Sequence, residues 1–236
     1  MINYDLFAEQ YVATVKHGGP RKAHRYLIEQ LNLEMNVAGK TICDLGCGQG
    51  ELAYQLSSLG AVVTGIDASQ KLLSYARGLT GQVNWVCEDA MTLSSVPDES
   101  FDAVVSSLML MDVPDHLAVF KQTMRILRPG GVFVWMVMHP CFHSPFCGLQ
   151  DDGSRIVSQY APQFWKSEGQ GTLRSVLGSY HRPISQYVND FMKAGFILDR
   201  FFEPHYEIKP SSAAQRIPDM PNHFGALGRK RETPLI

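Results

Sequence analysis

Between Lys40 and His139 the chain alternates short, continuously apolar runs with stretches whose apolar residues recur at helical spacing. This alternation restricts the fold more than any other feature. Strands separated by helices do not close as tight hairpins; they pair in parallel through crossovers, in a sheet covered on both faces. The runs KTICDL, AVVTGID, QVNWVCED, FDAVVSSLML and VFVWMVMH are the expected strands. Between the first two, GELAYQLSSLG puts Leu52, Leu56 and Leu59 on one helical face, with Gly60 ending the helix. SQKLLSYARGL is a second helix with Ser69 as N-cap. PDHLAVFKQTMRILRPGG is a third, capped by Asp115. It aligns Leu117, Phe120, Met124 and Leu127, and Pro129-Gly130-Gly131 is its expected stop.

Beyond His139 the pattern loosens, and 140–182 is expected as an irregular insert rich in Gly, Ser, Pro and aromatic residues. RPISQYVNDFMKAGF is helical again, with Ile184, Val188 and Phe191 inward and Gly195 as C-cap. FILDRFFE and HFGALGRK are the expected last strands, joined by a linker, 204–222, that carries four prolines.

The bulk properties exclude several classes. A length of 236 residues suits one α/β domain. The 21 basic and 23 acidic side chains nearly cancel, and the basic run GRKRE is short, so no nucleic-acid or anionic-membrane partner is expected. No apolar run approaches the roughly 20 residues that span a bilayer. The opening MINYDLFAEQY lacks the apolar core of a signal peptide. Five cysteines, an odd number, fit reduced thiols better than a disulfide framework, so a cytoplasmic protein is expected.

The stretch TICDLGCGQGELA holds Gly46, Gly48 and Gly50 between the first strand and first helix. A phosphate-binding P-loop would need Lys and Ser/Thr after the last glycine, where Glu51 and Leu52 stand. The dinucleotide pattern G-x-G-x-x-G is missed by one position, since Glu51 occupies its third glycine site. A pyrophosphate at the helix N-terminus would not welcome the flanking carboxylates of Asp44 and Glu51, whereas a cationic ligand would use them. Asp67, about 20 residues past the turn, is placed to accept ribose hydroxyls. In EDAM, the Asp89 carboxylate and Ala90 N–H can read the edge of adenine.

DLGCGQG, VVTGIDAS, VCEDAMTL, FDAVVSSLML and LRPGGVFVW, in that order, resemble the successive motifs of class I S-adenosylmethionine-dependent methyltransferases. The small-molecule type 11 branch, of ubiquinone/menaquinone type, is the most similar. The resemblance is strong over 40–138 and weaker through His139-Pro140 and YHRPISQYVNDFMKAGF to the last strand. It implies a Rossmann-like α/β fold with a seven-stranded, mostly parallel sheet and helices on both faces. The last strand, 224–230, would lie antiparallel between the fifth and sixth. It implies S-adenosylmethionine as cofactor and S-adenosylhomocysteine as product. Gly46, Gly48 and Gly50 would surround the methionine portion, Asp67 and Ala68 the ribose, and Asp89 and Ala90 the adenine, with Ser106 beneath. Tyr11, with Tyr4 second, would cover the cofactor from an N-terminal helix, although Tyr4, Phe7 and Tyr11 also suit a plain packing face. One domain is expected over 1–236: lid helices 1–35, cofactor core 36–139, substrate-pocket insert 140–182, and a C-terminal helix with the last strands, 183–236.

Methyl transfer from a sulfonium is an in-line displacement in which the protein chiefly positions the nucleophile. A base helps some acceptors. His139 ends the fifth strand, His143 lies four residues on, and His181 opens the segment walling the pocket, so these are the candidate bases. Each could equally be a structural histidine. His24 is read as part of a solvated face. HPCFHSPFC groups His139, Cys141, His143 and Cys147, but at no usual zinc spacing and with two prolines, so no metal site is expected. Phe142, Phe146, Tyr160, Phe164, Trp165 and Tyr180 in the insert favour a small apolar or aromatic methyl acceptor over mere packing of the insert. A nicotinamide-dependent oxidoreductase and a non-catalytic cofactor-binding module are the competing functions. The acceptor, its O, N or C atom, and the oligomeric state stay open.

Overall fold

The computed structural model describes residues 2–18, 21–143, 145–169, 172–205 and 220–232. A short 3-10 turn, Tyr4–Leu6, leads into helices α1 (Ala8–Gly18) and α2 (Arg21–Asn32). Then come β1 (Thr41–Leu45), α3 (Glu51–Ser58), β2 (Val62–Asp67), α4 (Gln70–Arg77) and β3 (Asn84–Cys87), followed by β4 (Phe101–Ser107), α5 (His116–Ile126) and β5 (Leu127–Met138). The insert holds β6 (Cys147–Leu149) paired with β7 (Arg155–Val157). It also holds β8 (Gln163–Trp165), then α6 (Leu173–Leu177), then β9 (Ser179–His181), which pairs with β8. Last are α7 (Ile184–Lys193), β10 (Ile197–Phe202) and β11 (His223–Arg229).

One seven-stranded sheet has the order β10-β11-β5-β4-β1-β2-β3. The first five strands run parallel, and β11 lies antiparallel between β5 and β10. Strand periodicity divides the core. From β5, Phe133, Trp135 and Val137 enter an aromatic layer with Phe120 of α5 and Tyr187 and Phe191 of α7. Val132, Val134 and Met136 face the opposite layer, with Leu27 and Leu31 of α2 and Leu52 and Leu56 of α3. Among the described residues no helix is long and apolar enough to cross a membrane.

Caps fall where local chemistry places them. Ser69 accepts from the Leu72 N–H at 3.1 Å, and Asp115 from Ala118 at 2.9 Å. The chain's start is tied to the α4 terminus, because the Ser69 hydroxyl and the Lys71 N–H both donate to Asp5.

Three expectations change. The α5 helix ends at Ile126, before Pro129-Gly130-Gly131, because the residues ahead of a proline are pushed toward extended backbone; Leu127 has ψ 139° and begins β5. Leu59 is the C-cap of α3 and half exposed rather than inward. The insert is not irregular throughout but carries the two strand pairs named above. Most of the expected linker lies outside the described residues.

Phe191 is fully buried and stacks on Phe196 with ring centroids 4.3 Å apart. Phe191→Ala is expected to lower unfolding free energy by about 3–5 kcal/mol, read from the urea midpoint.

Candidate active site

The carboxyl ends of the parallel strands open into a cavity of about 730 Å³. This is where an open α/β sheet binds ligands. Asp44 and Gly46 reach it from β1, Asp67 and Ala68 from β2, and Asp89 and Ala90 from β3. Ser107 ends β4, Met109 and Asp112 follow it, and Met138 ends β5. Tyr4 and Tyr11 cover it from the N-terminal segment, and Leu173 and Arg174 wall it from α6.

The glycine turn is built against neighbours. Gly46 has φ +77°, and a Cβ there would lie 2.3 Å from the Met109 side chain. Gly50 has φ +87°, with Trp85 filling the space a Cβ would need. Gly50 therefore serves close packing of α3 on the sheet, and neither it nor Gly48 lines the cavity. The Tyr11 hydroxyl lies over Gly48, 3.5 Å from the point a Cβ would occupy.

The carboxylates differ in what satisfies them. Asp67 accepts from the Gly48 N–H and the Ser69 N–H, each at 2.8 Å. Burial raises its pKa, and these two bonds oppose the rise. Each oxygen keeps a further lone pair for a ligand. Asp89 accepts from the Met91 N–H at 2.9 Å through Oδ1. Asp44 is 1 % exposed, and its Oδ2 has no hydrogen-bond partner among the described residues. Burial pushes its carboxyl up to about 7, offset in part by the Ala53 N–H. Glu51, which also borders the cavity, accepts from the Gln49 side chain through Oε1 at 3.1 Å, and its buried Oε2 has no hydrogen-bond partner among the described residues.

At the far end Tyr4 donates to Asp112 Oδ2 at 2.6 Å, and Arg174 bonds Asp112 Oδ1. Burial works against the Arg174 charge, but Asp112, then Tyr4, raise its pKa above the usual value. Arg182 secures the loop beneath by donating to the carbonyls of Leu110, Val113 and Pro114. Leu108, in the same loop, holds φ 60°, a left-handed conformation rare for leucine.

Of the sequence-predicted residues, Tyr11, Asp44, Gly46, Asp67, Ala68, Asp89 and Ala90 converge on this cavity. Ser106 does not: it is fully buried, and its neighbour Ser107 faces the opening, as strand alternation dictates. The three candidate bases also lie off the cavity. His139 bonds Glu203 at 2.9 Å, accepts from the Cys141 N–H and stacks on Phe142. His143 bonds the His139 carbonyl, and burial lowers its pKa to about 4. His181 stacks on Phe146 with centroids 3.8 Å apart. Expected pocket aromatics Phe142, Phe146, Tyr160, Phe164, Trp165 and Tyr180 likewise stay within the insert. His24 is not a solvated residue: it is buried on the cavity wall, and burial lowers its pKa to about 4. Asp112 could have been found as the acid closing the apolar run SSLMLMD; Arg174 carried no local signal.

Since the folded Asp44 pKa lies above its unfolded value of 3.8, the stability held by its neutral form is lost as pH rises from about 4 to about 7. Asp44→Asn without ligand is therefore expected to melt higher than wild type at about pH 8 and at nearly the same temperature at about pH 4.

Known proteins are similar to this chain in sequence and fold. Residues 43–135 match the family model described as a methyltransferase domain. A ubiquinone biosynthesis O-methyltransferase of Xanthomonas oryzae pv. oryzae is 36% identical over 121 residues, 48% of this chain and 51% of that protein. The match thus spans about half the length of that relative. The protein of the same name from Coxiella burnetii is 32% identical over 179 residues, 68% of this chain and 74% of the relative. Among solved structures, an S-adenosylmethionine-dependent methyltransferase from Mesorhizobium loti superposes with a TM-score of 0.74 at 26% identity, covering 89% of this chain and 97% of the other.

Proposed function

Because the chain belongs to the class I S-adenosylmethionine-dependent methyltransferases, we propose that it transfers a methyl group from S-adenosylmethionine to a small, largely apolar metabolite. Oxygen is the accepting atom favoured by the names of its O-methyltransferase relatives. The observation that carries the reading is the pair of unpartnered carboxylate oxygens, on Asp44 and Glu51, beside the glycine turn. A buried carboxylate oxygen without a partner is costly, and a cationic ligand removes that cost where a pyrophosphate would increase it. The residues present therefore fit an aminoacyl nucleoside with an ammonium group and no phosphate.

When bound, the cofactor supplies an electrophilic methyl group on sulfur, open to in-line attack. In this reading Asp44 and Glu51 hold the ammonium end. Asp67 accepts the ribose hydroxyls with the lone pairs left after Gly48 and Ser69. Asp89 and Ala90 read the adenine edge. Tyr11, over the turn, excludes water from the methionine portion. Burial lowers His24 and His223 on the cavity to about 4, too low for efficient proton abstraction near neutrality, so the reading assigns no histidine base. Alignment and desolvation of the acceptor supply the rate.

Thermal-shift titration separates the classes. S-adenosylmethionine and S-adenosylhomocysteine are expected to stabilise the protein with concentration and NAD is not; stabilisation by NAD alone would reject the reading. Ionised Asp44 favours the cation, so affinity should fall by up to about tenfold per pH unit below about 7. Asp44→Asn should flatten that slope. Asp67→Ala should weaken cofactor binding by roughly 1.5–3 kcal/mol per ribose bond lost, measured by calorimetry.

A further inference from the structure

The sheet order gives the cavity two ends. Beneath one lie β1, β2 and β3 with the carboxylates described above; beneath the other lie β4, β5 and β11, with α6 as its wall. Asp112 and Arg174 are charged groups lining the second end, and Lys22 lines the cavity from α2, which packs on β4 and β5. Asp112 is 8 % exposed and both its oxygens are engaged, Oδ1 by Arg174 and Oδ2 by the Tyr4 hydroxyl. Tyr4 thereby commits its one proton. Arg174 directs Nη1 to Asp112 and to the Gly178 carbonyl at 2.9 Å. Among the described residues nothing accepts from its Nε or Nη2.

That unengaged edge is two parallel N–H donors at the spacing of carboxylate oxygens. Asp112 fixes the guanidinium from behind, so little side-chain freedom is left to lose when a ligand docks. Arg182 is placed differently. Arg182 commits both amino groups to three loop carbonyls and lies outside the cavity, as a structural arginine does. Pinning Asp112 alone would not require Arg174 to line the cavity with a second edge unengaged. The remaining surface at this end comes from the apolar Val113, Met138 and Leu173, with His223 of β11 beside them. One guanidinium edge in apolar surroundings matches a single, planar negative charge rather than a phosphate.

We infer that Arg174 anchors the methyl acceptor through a carboxylate, so that acceptors are apolar molecules carrying that group. This rests on the methyltransferase reading and deepens it. Arg174 is a binding and orienting residue: docking the carboxylate at the α6 wall points the rest of the acceptor toward the glycine turn.

The test uses the complex with S-adenosylhomocysteine. Benzoate, cinnamate and octanoate are titrated into it, each beside its primary amide, with melting temperature and calorimetry as readouts. At least one acid is expected to bind while its amide does not. Arg174→Met should raise that acid's dissociation constant by at least about tenfold. Loss of Arg174 leaves Asp112 unpaired and can destabilise the fold, so Arg174→Met/Asp112→Asn, which removes both charges, is measured in parallel with the same expectation. Both variants should keep the wild-type response to S-adenosylhomocysteine. Equal binding of acids and amides, undiminished acid binding in the variants, or no binding by any of the acids would overturn the inference and leave the cofactor assignment standing. Absence of any S-adenosylhomocysteine response in the wild type would remove the methyltransferase reading itself, and this inference with it.

Discussion

A buried carboxylate oxygen with nothing to bond is among the costlier features a small domain can keep. Here two of them, from Asp44 and Glu51, border the same glycine turn, and the rest of the site is arranged around that debt. Burial, aided by the nearby Asp67 charge and opposed by the Ala53 N–H, pushes Asp44 toward neutrality, to about 7. A ligand that brings positive charge reverses this, and its binding free energy then includes the relief of a penalty already present in the fold. The turn is shaped for close approach by Gly46, while Gly50 and Trp85 lock the first helix onto the sheet behind it. The proposed selectivity against phosphates rests on the same two side chains.

Sheet topology separates the two tasks that group transfer requires. Placing β4 between β1 and β5 turns the strand order at the cavity, so the acids of the proposed cofactor end and the groups of the proposed acceptor end rise from different strands. Two segments bridge the halves. The N-terminal segment is pinned at α4 through Asp5 and reaches across to Asp112 through Tyr4, with Tyr11 over the turn between them. The insert is pinned beneath through Arg182 and through Ser179, whose hydroxyl donates to the Met111 carbonyl at 3.0 Å, and it presents Arg174. Both bridges end on Asp112, which accepts from Tyr4 and from Arg174.

Much of this was legible in the residues. Alternating apolar runs and helical stretches specify a parallel sheet because few architectures bury both, and an acid at a strand's carboxyl end has only the cavity to face. Asp44, Asp67 and Asp89 were found for that reason. Side-chain direction was harder. Ser106 and Ser107 differ by one residue, and only the strand register decides which one faces the opening. His139 ends its strand as expected but turns to Glu203, a partner supplied from beyond β10. The insert's aromatics satisfy one another instead of a ligand, a choice that composition does not distinguish. Arg174 sits in a short helix with no periodicity, and its meaning comes entirely from Asp112, 62 residues away in sequence.

Charge selection at the glycine turn is tested most directly by calorimetry with S-adenosylhomocysteine and its analogue lacking the α-amino group. Wild type should lose at least about tenfold in affinity when the ammonium is removed, and the Asp44→Asn/Glu51→Gln variant should hardly distinguish the two ligands. An equal loss in both proteins would show that the two carboxylates do not read the cation, and the explanation for the site would fail.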